Sequence, residues 1–499
     1  MDDGIQGFYK DKVVFLTGAT GFLGKVIIEK LLRTTEVKRI YSMIRSKNGK
    51  DMQERLATWK KDPLFEVLLK LKPDALKRIS VIAGDCADPD LGISGSDRKL
   101  LVSEVQIVIH GAATVRFNEP LHVALAINTR ATRLMLQLAK QMKHLEAYLH
   151  ISTAFSNCVI FRIKEQFYPE HLTCGSDAVL AMSELLSEQM MDKLAPTLVG
   201  DFPNTYAYTK ALAEDVILRE SGDLPLSVFR PSIIIATYEE PVSGWMDNLY
   251  GPIAFVYGAS HGVLRLTTYK PDGYSSLVPV DYCANAALAS IWQTSKEKSQ
   301  RDTTSQPAIY TLVPSENNLL ANPDFIDHIL SVREDFPLTK MIWYPFVHSI
   351  SNPRLFRLVA FFYHTLPGYF FDLALRLTGR KPRLVKLYRS IHVNIAMLEY
   401  FLHNSWHFET KSIDRLKVLM SAEDRRIYNF DMEALDWKNY FRKALFGMRL
   451  YLANEPPTKE SVEQGRRLLH RLKFLHYSFV TLLCALAAFL VWTLVRLFI

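Results

Sequence analysis

Lys12-Val-Val-Phe-Leu-Thr-Gly-Ala-Thr-Gly-Phe-Leu-Gly24 carries an apolar strand straight into three regularly spaced glycines, and its reading decides the fold. Gly18 lets the chain leave the strand sharply, Gly21 lets a pyrophosphate approach the backbone, and Gly24 lets the next helix pack close to the sheet. The pattern predicts that helix from Phe22 to about Arg33, its amino end facing the anion. A second strand, Arg39-Ile-Tyr-Ser-Met-Ile-Arg45, returns where a βαβ unit requires it, so the stretch reads as a dinucleotide-binding turn. A site selective for NAD normally ends this strand in Asp or Glu. This strand ends in Arg45 with Lys47 beyond, which favours the 2′-phosphate of NADPH.

Further strand-like runs continue the alternation: Ile79 to Asp85, Val105 to Ala113, Ala147 to Thr153 and Leu226 to Pro231. Helical patterns at Leu121 to Lys140 and Tyr206 to Glu220 separate them, which predicts an α/β fold with a doubly wound, mostly parallel sheet. Ligands of such a sheet sit at the carboxyl ends of its strands, where Gly18, Arg45, Asp85, Ala112 and Thr153 fall. Asp85 is placed to meet the adenine, and Gly111-Ala112-Ala113 is small enough for a backbone to pass the cofactor. Residues 294–306 read as a polar loop and Tyr310 to Val313 as a last strand. From Arg354 to about Tyr451 the chain is helical and aromatic-rich. Its stretch from Leu358 to Phe371 reads as too short, and too interrupted by Pro367 and Gly368, to span a bilayer. Core packing, an acyl pocket and contact with a membrane surface all remain open for it.

The chain has 499 residues, 48% of them hydrophobic, enough for two or three domains and more than a fully soluble chain needs. Part of the excess lies between Phe474 and Val495, where no Asp, Glu, Lys or Arg occurs, so a carboxy-terminal membrane anchor is expected. Arg466, Arg467, Arg471 and Lys473 precede that run and only Arg496 follows it, which places the main body in the cytosol. Met1-Asp-Asp-Gly opens towards the first strand without an apolar leader, and the five cysteines show no paired spacing, both suiting a cytosol-facing body. The net charge of +8 has no arginine-rich stripe behind it and points to an anionic ligand and a membrane rather than nucleic acid. No metal-ligand spacing is evident.

Tyr206-Ala-Tyr-Thr-Lys210 opens the helix after the fifth strand, and the four-residue spacing puts Tyr206 and Lys210 on one face. Reducing a carbonyl with hydride requires a proton for the developing alkoxide. Tyr206 is the expected donor, and Lys210 is expected to stabilise its phenolate and to hold ribose hydroxyls. Ser152 and Thr153 both offer a hydroxyl for the oxyanion, Thr153 being the favoured one.

Together the turn, Arg45, His110 to Glu119, His150 to Ala154, Tyr206 to Glu214 and Phe229 to Ile234 resemble an extended short-chain dehydrogenase/reductase. More narrowly, with Leu377 to Arg383, Leu398 to Phe401 and Asn404 to Trp406, they resemble the eukaryotic fatty acyl-CoA reductases over nearly the whole chain. The resemblance implies a Rossmann-type domain at 1–293, a connecting or substrate region at 294–353 and a helical domain at 354–451. A basic juxtamembrane segment at 452–473 and an anchor at 474–499 complete it. It implies NADPH bound by Thr17, Gly18, Thr20, Gly21, Phe22, Leu23, Gly24, Arg45, Asp85, Ala112, Tyr206, Lys210 and Pro231. The implied reaction is reduction of a long-chain acyl-CoA to a primary alcohol, at a peroxisomal membrane in preference to the endoplasmic reticulum. A membrane-anchored reductase of a sterol or other lipid carbonyl is the rival enzyme, and an NADPH-binding scaffold the rival without catalysis.

Overall fold

The computed structural model describes residues 4–45, 57–297 and 306–498. Lys47 and most of the loop expected at 294–306 lie outside them. The chain divides into two compact units, one formed by Met1–Ser243, Ser276–Leu319 and Ser405–Leu435, the other by Gly244–Ser275, Leu320–Asn404 and Asp436–Ile499.

The first unit is built on a seven-stranded sheet. Its strands are β1 (Val13–Thr17), β2 (Arg39–Ile44), β3 (Ile79–Ala83), β4 (Ile107–His110), β5 (Ala147–Ile151), β6 (Leu226–Pro231) and β7 (Ala308–Leu312). They lie in the order β7-β6-β5-β4-β1-β2-β3, every neighbouring pair parallel. The order reverses between β1 and β4, the switch point at which a doubly wound sheet opens a crevice for its ligand. Strands buried on both faces read as continuous apolar runs, as Val13 to Leu16 and Ile107 to Ile109 do.

Helix α1 (Phe22–Thr34) follows the turn and buries Val26, Ile27, Ile28, Leu31 and Leu32. Each such side chain contributes roughly 1.5–3 kcal/mol through the water it leaves. The helix over 121–139 is continuous but opens into a π-helical turn at Leu125–Arg130. Helix α2 (Thr205–Glu220) is capped by Asn204, whose side chain accepts from the Ala207 N–H. Helix α3 (Val280–Glu297) occupies the start of the segment read as a loop, because Ile291, Trp292 and Thr294 still have the core to bury against. A short helix, Ile5–Tyr9, precedes β1 where the sequence was read as entering the strand directly. Residues 276–319 and 405–435 belong to this unit although they lie across the expected boundary at 293, since β7 must pair with β6 to extend the sheet.

The second unit is mainly helical. Helix α4 runs over Pro353–Leu377, 25 residues, with a π-helical turn at Phe361–Thr365 inside it. This corrects the reading of an interrupted stretch. Pro367 falls in the first turn of the segment after the π-helical one, where its missing N–H costs little, and the helix is long enough to cross a membrane. Helix α5 (Leu384–His403) returns after a short turn, and helix α6 (Lys459–Phe498) carries the basic run and the apolar tail as one 40-residue helix. From Phe474 onward its apolar side chains stand exposed.

Candidate active site

At the carboxyl end of β1 the turn is shaped by sterics. Gly18 has φ +79°, and a Cβ there would stand 2.7 Å from the Gly111 carbonyl carbon. A Cβ on Gly24 would stand 2.2 Å from the Gly18 oxygen, so α1 approaches its own turn as closely as glycine permits. Gly21 is exposed, and with no side chain it leaves the amino end of α1 without a side-chain cap. An open turn against an uncapped helix end is what a pyrophosphate requires, so these residues fit a dinucleotide. Thr20, Phe22 and Leu23 are partly exposed around the same turn. Thr17 is buried, and its hydroxyl accepts from the Ala112 N–H at 3.2 Å and meets His110 Nδ1 at 2.8 Å, locking β1 to the exit of β4. Burial, assisted by the charge of Lys210, pushes His110 down to about 3, so that ring is neutral.

Arg45 stands at the end of β2 with its guanidinium 3.7 Å from the Asp85 carboxylate beyond β3. Half-exposed pairs of this length contribute little to stability, so Arg45 can exchange Asp85 for a phosphate at small cost. Asp85 also accepts from the Ala87 N–H at 3.0 Å, which shapes the exit of β3. Pro231, the last residue of β6, is buried and accepts from the Ala154 N–H at 2.9 Å.

Three of the four expected catalytic residues converge at the end of β5. Ser152 N–H donates to Phe229 O at 2.8 Å, and these sheet bonds to β6 on either side hold Thr153 in place. The Tyr206 ring stacks on Phe117 at 5.9 Å, and its phenol feels the Thr153 hydroxyl. Burial pushes Tyr206 up to about 12, the Thr153 hydroxyl pulling the other way. Lys210 is buried and donates from Nζ to Ile151 O at 2.7 Å; burial lowers it to about 8 against the pull of Glu214. In this structure the Lys210 ammonium is bound to the strand carbonyl, and burial is the largest influence on the phenol.

Ser152 is turned elsewhere. Its hydroxyl donates to Glu214, which is held by Arg230 through two hydrogen bonds, one from Nε at 3.0 Å. Arg230 also donates to the carbonyls of Lys164 at 3.1 Å and Gln166 at 2.9 Å, so the guanidinium of this buried pair makes four hydrogen bonds. Glu214 lies one helical turn beyond Lys210, a spacing that offered the only sequence signal of its place. Asn128 had no such signal. Buried in the π-helical turn, it accepts from Thr114 N–H at 2.9 Å and donates to Thr209 Oγ1 at 3.0 Å, tying the loop after β4 to α2. π-Helical turns of this kind are frequent at functional sites.

Known proteins share this architecture. Two family models, each described as Male sterility protein, match residues 16–287, as an NAD-binding region, and residues 363–455. The chain is 41% identical to the fatty acyl-CoA reductase wat of Drosophila melanogaster over 495 residues, covering 99% of this chain and 94% of the fly protein. It is 36% identical to fatty acyl-CoA reductase 2 of Homo sapiens, with 97% and 92% covered. Among solved structures, the reductase domain of a Mycobacterium tuberculosis nonribosomal peptide synthetase matches at a TM-score of 0.56 and 20% identity, covering 88% of this chain and 92% of that one. The terminal R domain of the myxalamid pathway matches at 0.55 and 19%, covering 88% and 91%. At those identities the two structures speak for the fold. The NAD-binding match and the turn geometry agree on a nicotinamide cofactor.

Proposed function

Since the chain belongs to the fatty acyl-CoA reductase family, we propose that it reduces a long-chain fatty acyl-CoA to the primary alcohol and releases CoA, using NADPH twice. NADPH supplies one hydride to each of two successive carbonyls. The turn from Thr17 to Gly24 would hold its pyrophosphate, Arg45 its 2′-phosphate, and Asp85, Ala112, Pro231, Tyr206 and Lys210 the remainder.

The residues just past β5 and those on α2 then divide the work. Thr153 donates to the thioester oxygen and polarises it, and Tyr206 delivers its proton as that oxygen becomes an alkoxide. A phenol near 12 keeps its proton until a base as strong as an alkoxide appears, which suits a donor that must not ionise early. The hemithioacetal so formed collapses with loss of the thiol. The aldehyde takes the same two contacts in the second reduction once Tyr206 is reprotonated. Ser152 positions Glu214 and does not touch substrate.

We place the reductase chemistry in 1–293 and assign 354–451 to the helical domain, 452–473 to the juxtamembrane segment and 474–499 to a single anchor, the body facing the cytosol. The peroxisomal membrane is favoured. Each methylene of a long chain favours transfer out of water by about 0.8 kcal/mol, so a bilayer beside the enzyme draws off the product. The single observation that carries the reading is the Tyr206 phenol beside the Thr153 hydroxyl, with buried Lys210 bound to the end of the same strand.

The test is incubation of detergent-solubilised full-length protein with NADPH or NADH and a panel of acyl-CoAs, with products identified by mass spectrometry. Alcohol and free CoA formed with NADPH are expected. Reduction of a sterol ketone with acyl-CoA left intact would replace this reading by its rival.

A further inference from the structure

Helix α4 is amphipathic in the opposite sense to a soluble helix. Its buried residues, Ala360, His364, Gly368 and Asp372, recur every fourth position and are small or polar. Each has a specific reason to face inward. His364 stacks on Tyr388 of α5 at 4.9 Å, meets His392 Nε2 at 3.0 Å and accepts from Arg265 N–H at 3.1 Å. At Gly368 even a Cβ would stand 3.1 Å from the Tyr388 ring. Asp372 accepts from the N–H groups of Arg383, Leu384 and Val385 and so caps α5. The outward face carries Leu358, Phe362, Tyr369, Phe370, Leu373 and Leu377, with Phe362 55% and Phe370 65% exposed. Polar groups paired inside and large apolar groups outside is the arrangement of a protein surface facing lipid.

Two independent observations say what covers this face. Exposed Arg376, Arg380, Lys381, Arg383, Lys386 and Arg389 cluster about the turn between α4 and α5, while Arg354 and Arg357 stand at the other end of α4. Across 353–403 the only acidic residues are Asp372, spent on its cap, and Glu399. An apolar helix face bounded by cations at both ends fits an anionic bilayer surface. The second is continuity with the tail. Where α6 turns apolar, His476 accepts from Trp343 Nε1 at 3.1 Å and packs on Phe346 at 4.7 Å. Phe346 in turn packs on Tyr363 of α4 at 6.0 Å. Aromatic side chains of this kind gather at the headgroup level of membranes. The tail therefore enters the bilayer within two ring contacts of α4.

We propose that α4 lies in the interface of an anionic bilayer as a second, in-plane membrane contact, its apolar face among the acyl chains and the basic turn among the headgroups. The inward face, where His364 meets Tyr388 and the Arg265 N–H and Asp372 caps α5, keeps it in the plane, because that polar side stays packed on protein while only the apolar face meets lipid. The inference rests on the reading of the tail as an anchor.

The experiment reconstitutes the full chain in vesicles of phosphatidylcholine and phosphatidylserine that contain a lipid with a diazirine in its acyl chain, then maps photo-adducts by mass spectrometry. Adducts are expected both in 353–377 and in 474–498. Adducts in 474–498 alone would overturn the proposal and leave the anchor standing; adducts in neither would overturn both. Labelling of 353–377 that disappears on adding a long-chain acyl-CoA would assign the face to the substrate, and crosslinks between two copies would assign it to self-association; each defeats the proposal. With Arg380→Gln and Lys381→Gln together, labelling of 353–377 is expected to fall by about tenfold or more, because two of the cations that hold the turn at an anionic surface are removed, with tail labelling unchanged. Equal labelling in that variant would overturn the role of the basic turn.

Discussion

Helix α1 and helix α4 are both amphipathic, yet one buries Val26, Ile27, Ile28, Leu31 and Leu32 while the other buries Ala360, His364, Gly368 and Asp372 and leaves its phenylalanines outside. The same hydrophobic effect acts on both. What differs is what meets the other face: on α1 the polar side is itself enclosed, with Lys25 paired to Asp62 and Glu29 to Arg33, whereas α4 carries the polarity of a lipid-facing element. A helix's apolar stripe therefore names the medium it meets only after its inward side has been identified.

The first unit should respond to substitution as a close-packed, water-soluble core does, and the largest effect is expected at its buried ion pair. Arg230→Met leaves Glu214 charged and unpaired in the core, so the unfolding free energy should drop by about 3–5 kcal/mol. Denaturant titration with tryptophan fluorescence measures it; a loss below 1 kcal/mol would mean the pair behaves as a surface one.

Next in size is Tyr206→Phe, which removes the proton donor and little volume. Turnover should fall about 100-fold or more with NADPH affinity nearly retained. Thr153→Ala should also lower turnover, whereas Ser152→Ala should act on stability, and assays of both variants separate the two hydroxyls.

A smaller, pH-dependent effect is expected at Lys210. Because burial lowers this lysine to about 8, the ammonium is present below that pH and lost above it, so cofactor affinity should decline as pH rises through about 8. In Lys210→Arg, whose cation does not titrate, that limb should vanish from a binding titration followed by nicotinamide fluorescence. Arg45→Asp should move the NADPH/NADH preference by about tenfold towards NADH, the size of one charge-assisted contact. An unchanged ratio in steady-state kinetics would shift the determinant to Lys47.

The smallest effect sharpens the comparison most. Phe370→Ser in detergent should change stability by no more than about 0.5 kcal/mol, since the side chain touches solvent or detergent and not a core. Leu31→Ala in α1 should cost about 2–5 kcal/mol in the same assay. Equal losses in a thermal denaturation series would mean that α4 is covered by protein.

The sequence by itself determined the parallel sheet, the glycine turn and its helix, the helix that bears Tyr206 and Lys210, and the apolar tail. Each is a local pattern: a run of strand residues, a steric need for glycine, a four-residue spacing, or a stretch without charge. Only the tertiary structure separated Ser152 from Thr153, because neighbours on a strand point to opposite sides and the side that holds Glu214 and Arg230 is set by residues far along the chain. The same is true of α4. Pro367 and Gly368 look like interruptions until Tyr388 is seen packed on the glycine, and Asp372 looks exposed until the three N–H groups it caps are brought to it from across the turn. Polarity along a helix is written in sequence, but which side is the inside is decided by partners distant in the chain.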